Sequence, residues 1–183
     1  KNKPTQIWTQ GETEANSCWF PTIDSPNQKT TQEIYITVPN KYKTLSNGKL
    51  MSQIKKGTNR TDYWKFDKKH APYLFFMGIG EYEIIKDSYK NIPVNYYLEK
   101  EYAPYAKEIF GNTPEMIDFF ATQLGVDYPW DSYNQIVVRD FVSGAMENTT
   151  AVVHGEKAYQ KPAQLIDENV QENTIAHEVF HHW

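Results

Sequence analysis

A chain of 183 residues with a net charge of −4 and no block of Lys or Arg argues against a nucleic-acid partner held through phosphate neutralisation. A hydrophobic fraction of 39% with 15% aromatic residues is enough to build a core, which excludes a disordered composition. No apolar run approaches the ~20 residues needed to cross a bilayer, and the lone Cys18 excludes an internal disulfide or a zinc site made of several thiolates.

The length fits one domain or two small ones. Lys1 to Thr9 is polar and carries no leader pattern, and the absence of an initiator Met reads as a chain excised from a longer polypeptide. Trp8 to Pro26 is turn-rich, with Trp19 and Phe20 as expected core anchors. Glu33 to Val38 alternates: Ile34, Ile36 and Val38 share one face and Tyr35 and Thr37 the other, which predicts a half-buried strand closed by Pro39. Asn47-Gly48 tolerates the positive φ angles of a tight turn and predicts a hairpin joining Tyr42–Ser46 to Lys49–Lys55. Thr61–Phe66 predicts a further strand, and the apolar run Tyr73–Met77, bracketed by Pro72 and Gly78, predicts one buried on both faces. Ile84–Tyr89 and Ile92–Leu98 follow, so the first half reads as β-sheet.

The second half mixes helix and strand. Pro104–Phe110 predicts a short helix ending at Gly111. Thr113-Pro114-Glu115 reads as a helix start with Thr as N-cap and Pro in the first turn. Met116, Ile117, Phe120 and Leu124 supply the buried stripe, and Gly125 the stop. Strands are expected at Gln135–Arg139 and Thr150–His154. A last helix is expected from Asn169, with Glu172 as capping-box partner and Val170, Ala176, Val179 and Phe180 on its buried side. His70 and His154 read as ordinary surface or strand residues.

That last helix carries His177-Glu178-Val179-Phe180-His181-His182-Trp183, which holds three of the five histidines. Helix positions four apart share a face, with Cβ atoms about 5–6 Å from each other. His177 and His181 are therefore candidate ligands of one divalent ion. Glu178, one residue round the helix, is placed to take a proton from water activated there, the general-base role of H-E-x-x-H peptidases. The same positions also suit a solvated helix end, where imidazolium groups favour the C-terminal dipole. His182 faces elsewhere and is not a ligand candidate; Trp183 is expected to pack.

Gly144-Ala145-Met146-Glu147-Asn148 lies upstream, with Glu147 preceding His177 by 30 positions. G-A-M-E-N followed at that distance by H-E-x-x-H-x-W resembles the M1 family of zinc aminopeptidases. Tyr128-Pro129-Trp130, the strand into Asp140-Phe141, and Thr9-Gln10-Gly11-Glu12 resemble further stretches of the same family, so the likeness covers nearly the whole chain. It implies an α+β fold. Residues 1–84 would be the later part of a saddle-like N-terminal β domain, and residues 85–183 the mixed α/β opening of a thermolysin-like catalytic domain. It implies zinc held by His177 and His181, with a third protein ligand, a Glu, and the oxyanion-stabilising Tyr both beyond residue 183. It further implies Glu178 as general base, Glu147 and Glu12 as anchors for a peptide's free α-amino group, and the Gly144-Ala145 backbone running beside the substrate. The expected partners are peptide substrates and the remainder of the catalytic domain, with this stretch inactive by itself. Two other readings carry less. A branch of the family that also opens a lipid epoxide has G-G-M-E-N, against Ala145 here. A non-catalytic binding or scaffold member would be expected to lose motif residues that this chain retains.

Overall fold

A computed structural model describes residues 3–183, and they form two compact units. The first runs to Glu81 and takes in Asn148–Ala151; the second comprises Tyr82–Glu147 and Val152–Trp183.

The first unit is all sheet. Its strands are β1 (Ile7–Trp8), β2 (Thr30–Pro39), β3 (Lys43–Ser46), β4 (Lys49–Lys56), β5 (Asn59–His70) and β6 (Met77–Gly80). They form two antiparallel three-stranded sheets, ordered β1-β6-β3 and β2-β5-β4. The alternation along β2 behaves as its pattern requires. Ile36 and Val38 are buried, Ile34 is half-buried, and Tyr35 and Thr37 face outward, where Tyr35 stacks on Tyr63 across the pair.

Three local expectations are overturned here. Asn47-Gly48 does not close a hairpin, because β3 pairs with β6 while β4 pairs with β5; the dipeptide turns the chain from one sheet into the other. Gly48 does take a positive φ of 84°, and a Cβ there would lie 2.1 Å from the Lys65 carbonyl oxygen. Asn47 is fully enclosed, donating to the carbonyls of Leu74 and Thr149 and accepting from the Phe76 N–H. Its side chain has become part of the unit's backbone pairing, which a two-strand turn would not require. The apolar run Tyr73–Met77 is not a strand either. Pro72–Leu74 makes a 3-10 turn, with Pro at its start and Leu74 N–H bonded to the Ala71 carbonyl, and β6 begins only at Met77. Finally, Trp19 lies at the surface, its Nε1 donating to Asn16 Oδ1, whereas Phe20 stacks on Phe75 at 5.0 Å.

The second unit contains β7 (Glu83–Tyr89), β8 (Ile92–Leu98), α1 (Ala106–Phe110), α2 (Thr113–Leu124), β9 (Tyr133–Val138), β10 (Ala145–Met146), β11 (Ala151–Gly155), α3 (Pro162–Leu165) and α4 (Glu172–Phe180). Five strands form one sheet in the order β10-β11-β9-β8-β7. β7 and β8 are an antiparallel hairpin, while β8 and β9 run parallel, joined through α1 and α2. Every residue of β9 is buried, as expected of a strand covered on both faces. Val94, Tyr96 and Leu98 of the sheet pack with Ile109, Phe110, Ile117, Ile175 and Val179 of the helices in one core. An α+β fold results.

The helix termini depart from the pattern. Thr113 is the first residue of α2 rather than its cap, and its hydroxyl donates to the Phe110 carbonyl; Asn112 occupies the cap position. Leu124 is 43% exposed, and Ile117 and Ala121 carry the deepest contacts of the helix. Gly125 does end it, at φ 64°. α4 starts at Glu172, three residues later than expected; Asn169 lies ahead of it, its Oδ1 accepting from the Gln171 N–H and its Nδ2 donating to the Ile109 carbonyl. Glu172 accepts from Asn112 Nδ2 instead of completing a capping box. Val170 and Phe180 are exposed, and Ile175, absent from the expected stripe, is buried beside Val179.

Candidate functional site

The site is assembled in the second unit where α4 and β10 meet their loops. Ile175 and Val179 turn one face of α4 into the core, and this fixes the rotation of everything else on the helix. Glu178 is carried to the buried side, while His177 and His181 remain exposed. Their Nε2 atoms face each other at 3.0 Å, with the rings nearly perpendicular. His181 caps the C-terminal end of α4.

The residues beyond it are tied down. His182 is buried, its Nδ1 against the Glu178 carbonyl at 2.9 Å and its ring beside Tyr128 and Tyr133. Burial pushes its pKa down to about 4, so it is a neutral packing residue at neutral pH. Trp130 Nε1 donates to the His182 carbonyl and Trp183 Nε1 to the Val126 carbonyl. Trp183 thus packs, as expected.

Glu147 arrives from the other side, directly after β10. That strand pairs antiparallel with β11, Ala145 opposite His154 and Met146 opposite Val153, and it lies at the edge of the five-stranded sheet. The result is one cluster: a carboxylate oxygen of Glu147, one of Glu178 and a ring nitrogen of His181 all lie within 4.8 Å of one another. Glu147, some thirty positions upstream, is thereby brought to two residues of α4, each of the three singled out from the motifs. His177 joins through its contact with His181.

The loop leading into β10 is positioned by a residue the motifs do not mark. Arg139 makes a two-pronged contact with Glu99, at 2.7 and 2.8 Å, and lies over the Tyr159 ring at 4.9 Å. That pairing holds its pKa above the ordinary arginine value. An Arg at a strand end gives no sign of it in the sequence. Gly144 has an ordinary φ, and among the described residues no atom lies within 4 Å of a Cβ built there, so none of them demands a glycine.

Glu12, in the first unit, is exposed in the turn after β1. Gly11 before it is buried, with no room for a Cβ against the Tyr73 carbonyl, and the Glu12–Thr13 peptide bond is cis. The two remaining histidines are not surface groups. His70 and His154 are buried in strands β5 and β11, and burial lowers both pKa values to about 3. His154 pairs with Gln135 at 2.9 Å; His70 lies between Phe66 and Phe75.

Comparison with known proteins points the same way along the whole sequence. The peptidase family M1 domain matches residues 108–183, and the peptidase M1 N-terminal domain matches residues 1–74. Glutamyl aminopeptidase of Rattus norvegicus is 31% identical over 175 residues, covering 90% of this chain and 18% of the relative. The protein named glutamyl aminopeptidase in Bos taurus is 29% identical over 173 residues, with the same coverage. Tricorn protease-interacting factor F2 of Thermoplasma acidophilum is 27% identical over 183 residues, covering 98% of this chain and 23% of the relative. The chain therefore spans about a fifth of the length of these curated relatives.

Proposed function

This chain belongs to peptidase family M1, and on that footing we propose that it carries the amino-terminus-binding and proton-transfer half of a zinc-dependent aminopeptidase that releases N-terminal residues from peptides. The observation that carries the reading is the convergence of Glu147, Glu178 and His181, with His177 against His181.

The residues present fit a zinc ion. Two neutral imidazoles are preferred donors, and Nε2 atoms 3.0 Å apart can both lie at zinc–nitrogen bond length, about 2.0–2.1 Å, from one ion. His177 and His181 would hold it, with a third protein ligand from a Glu later in the polypeptide. When bound, zinc polarises the scissile carbonyl and makes water a better acid. Glu178, anchored by the buried side of α4, takes the proton from that attacking water and delivers it to the departing amine. Glu147 offers a negative charge to the substrate's ammonium terminus, and Glu12 is the proposed second anchor. Holding the terminus at a fixed distance from the base is what restricts cleavage to the first peptide bond. Gly144 and Ala145 present an unencumbered strand edge, along which an extended peptide can add by backbone hydrogen bonds. In this reading the first unit belongs to the N-terminal β domain, residues 1–84, and the second opens the thermolysin-like domain, residues 85–183.

The test is Glu178→Gln in the full-length protein. The expected result is a loss of turnover of about 10²–10⁴-fold with zinc content unchanged by metal analysis. Undiminished activity in the variant would remove Glu178 from the mechanism. Activity that persists in a zinc-free protein would remove the metal reading.

A further inference from the structure

A cavity of about 790 Å³ lies beside the Gly144 end of β10. Its walls include Asp140, Ser143 and Gly144 from the loop before the strand, Glu156 and Lys157 just past β11, and Thr174 of α4, one turn before His177. An extended peptide advances about 3.3 Å per residue. A substrate laid along β10 with its ammonium group at Glu147 therefore has its second and third residues level with Ala145, Gly144 and Ser143, where this cavity begins. What the cavity accepts would then decide which peptides are good substrates.

Two carboxylates share its wall. Glu156 accepts a hydrogen bond from the Asp140 backbone N–H, and Asp140 has a further partner of its own. Lys157 differs: its side chain is exposed, and its ammonium makes no hydrogen bond or ion pair among the described residues. Its backbone is held firmly, in a 3-10 turn between Glu156 and the fully buried Ala158, with Tyr159 stacked on Tyr102 at 4.1 Å. A fixed root with an uncommitted cation at its tip, in a cavity also lined by Ser143 and Thr174, offers a donor to an anion.

We propose that Lys157 makes this cavity a subsite for a carboxylate borne by the second or third residue of the substrate, either an acidic side chain or the C-terminus of a short peptide. The inference rests on the aminopeptidase reading above. The experiment uses the full-length protein and peptides sharing one first residue, with Glu, Gln or Lys in second place and a free or amidated C-terminus. A chromogenic aminoacyl anilide, which has no second residue, serves as control. A carboxylate should raise kcat/KM about fivefold, the size of one partly screened ion pair. Lys157→Ala should erase that preference, Lys157→Glu should invert it, and neither should alter anilide cleavage. Preference that follows Glu in amidated peptides assigns the side chain as the occupant; preference that follows the free terminus of Gln peptides assigns the terminal carboxylate. Equal discrimination in the wild type and Lys157→Ala overturns the subsite while leaving the aminopeptidase reading intact. A wild type that cleaves neither anilide nor peptides overturns both.

Discussion

Two carboxylates, one in each unit, are treated in opposite ways. In the first, Asp62 is fully buried on β5 and every approach to it is filled: Arg60 Nε and Nη2 at 2.6 and 2.8 Å, Thr44 Oγ1 at 2.7 Å and Gln53 Nε2 at 2.9 Å. Burial alone would raise the Asp62 pKa, but the hydrogen bonds from Arg60, Thr44 and Gln53 outweigh it and hold the carboxyl below its ordinary value. In the second unit, Glu147 makes no hydrogen bond among the described residues, although it lies within 4.8 Å of Glu178 and His181. A saturated charge stabilises the fold; a charge gathered with others and left with donor or acceptor capacity is available to a ligand.

The largest stability effect should come from breaking the saturated network. Asp62→Ala leaves the Arg60 guanidinium, 5% exposed, without its counter-charge, and is expected to cost the first unit about 3–5 kcal/mol. Urea unfolding read with hydrogen exchange at β5 amides would measure this. A change near zero would mean that the network is dispensable and would blur the contrast between the units. Next comes the turn between the sheets. Gly48→Ala adds a methyl against the Lys65 carbonyl at positive φ, and a loss of about 1–3 kcal/mol is expected by the same measurement.

His70 adds a pH dependence to the first unit. Its folded pKa of about 3 lies below an unfolded value near 6.5. Between these values the unfolded chain binds the proton and the folded chain does not. Stability is therefore complete above about pH 6.5 and falls as pH drops toward about 3, by at most about 1.4 kcal/mol per pH unit from this group. His70→Leu should flatten that limb of a plot of unfolding free energy against pH. An unchanged slope would show that the imidazole is not held neutral by burial.

Gly144→Ala, finally, should leave stability unchanged or raised by about 0.4–1 kcal/mol, because no atom of the described residues contests the space. Peptide turnover should nevertheless fall in the full-length protein. If stability and turnover both stay unchanged, the β10 edge does not lie along the substrate. Gly48 and Gly144 thus form a matched pair: a Cβ is barred by the Lys65 carbonyl at one and meets open space among the described residues at the other.

What the chain states locally is its periodicity and its motifs. The inside-outside rhythm of β2, the apolar stripe of α2 with its glycine stop, and the order and distance of G-A-M-E-N and H-E-x-x-H are all properties of neighbouring residues, and the α+β character follows from them. The partners of each strand are not local properties. Asn47-Gly48 has the chemistry of a hairpin, yet long-range pairing of β3 with β6 and β4 with β5 prevails, because many ladder bonds outweigh one turn's preference. The same holds for His70 and His154, whose burial depends on strands from elsewhere in the chain. Helical spacing nominates His177, Glu178 and His181, and the family resemblance adds Glu147. Bringing Glu147 to the helix required the pairing of β10 with β11 and the docking of Ile175 and Val179 into the core, both set by packing across the second unit.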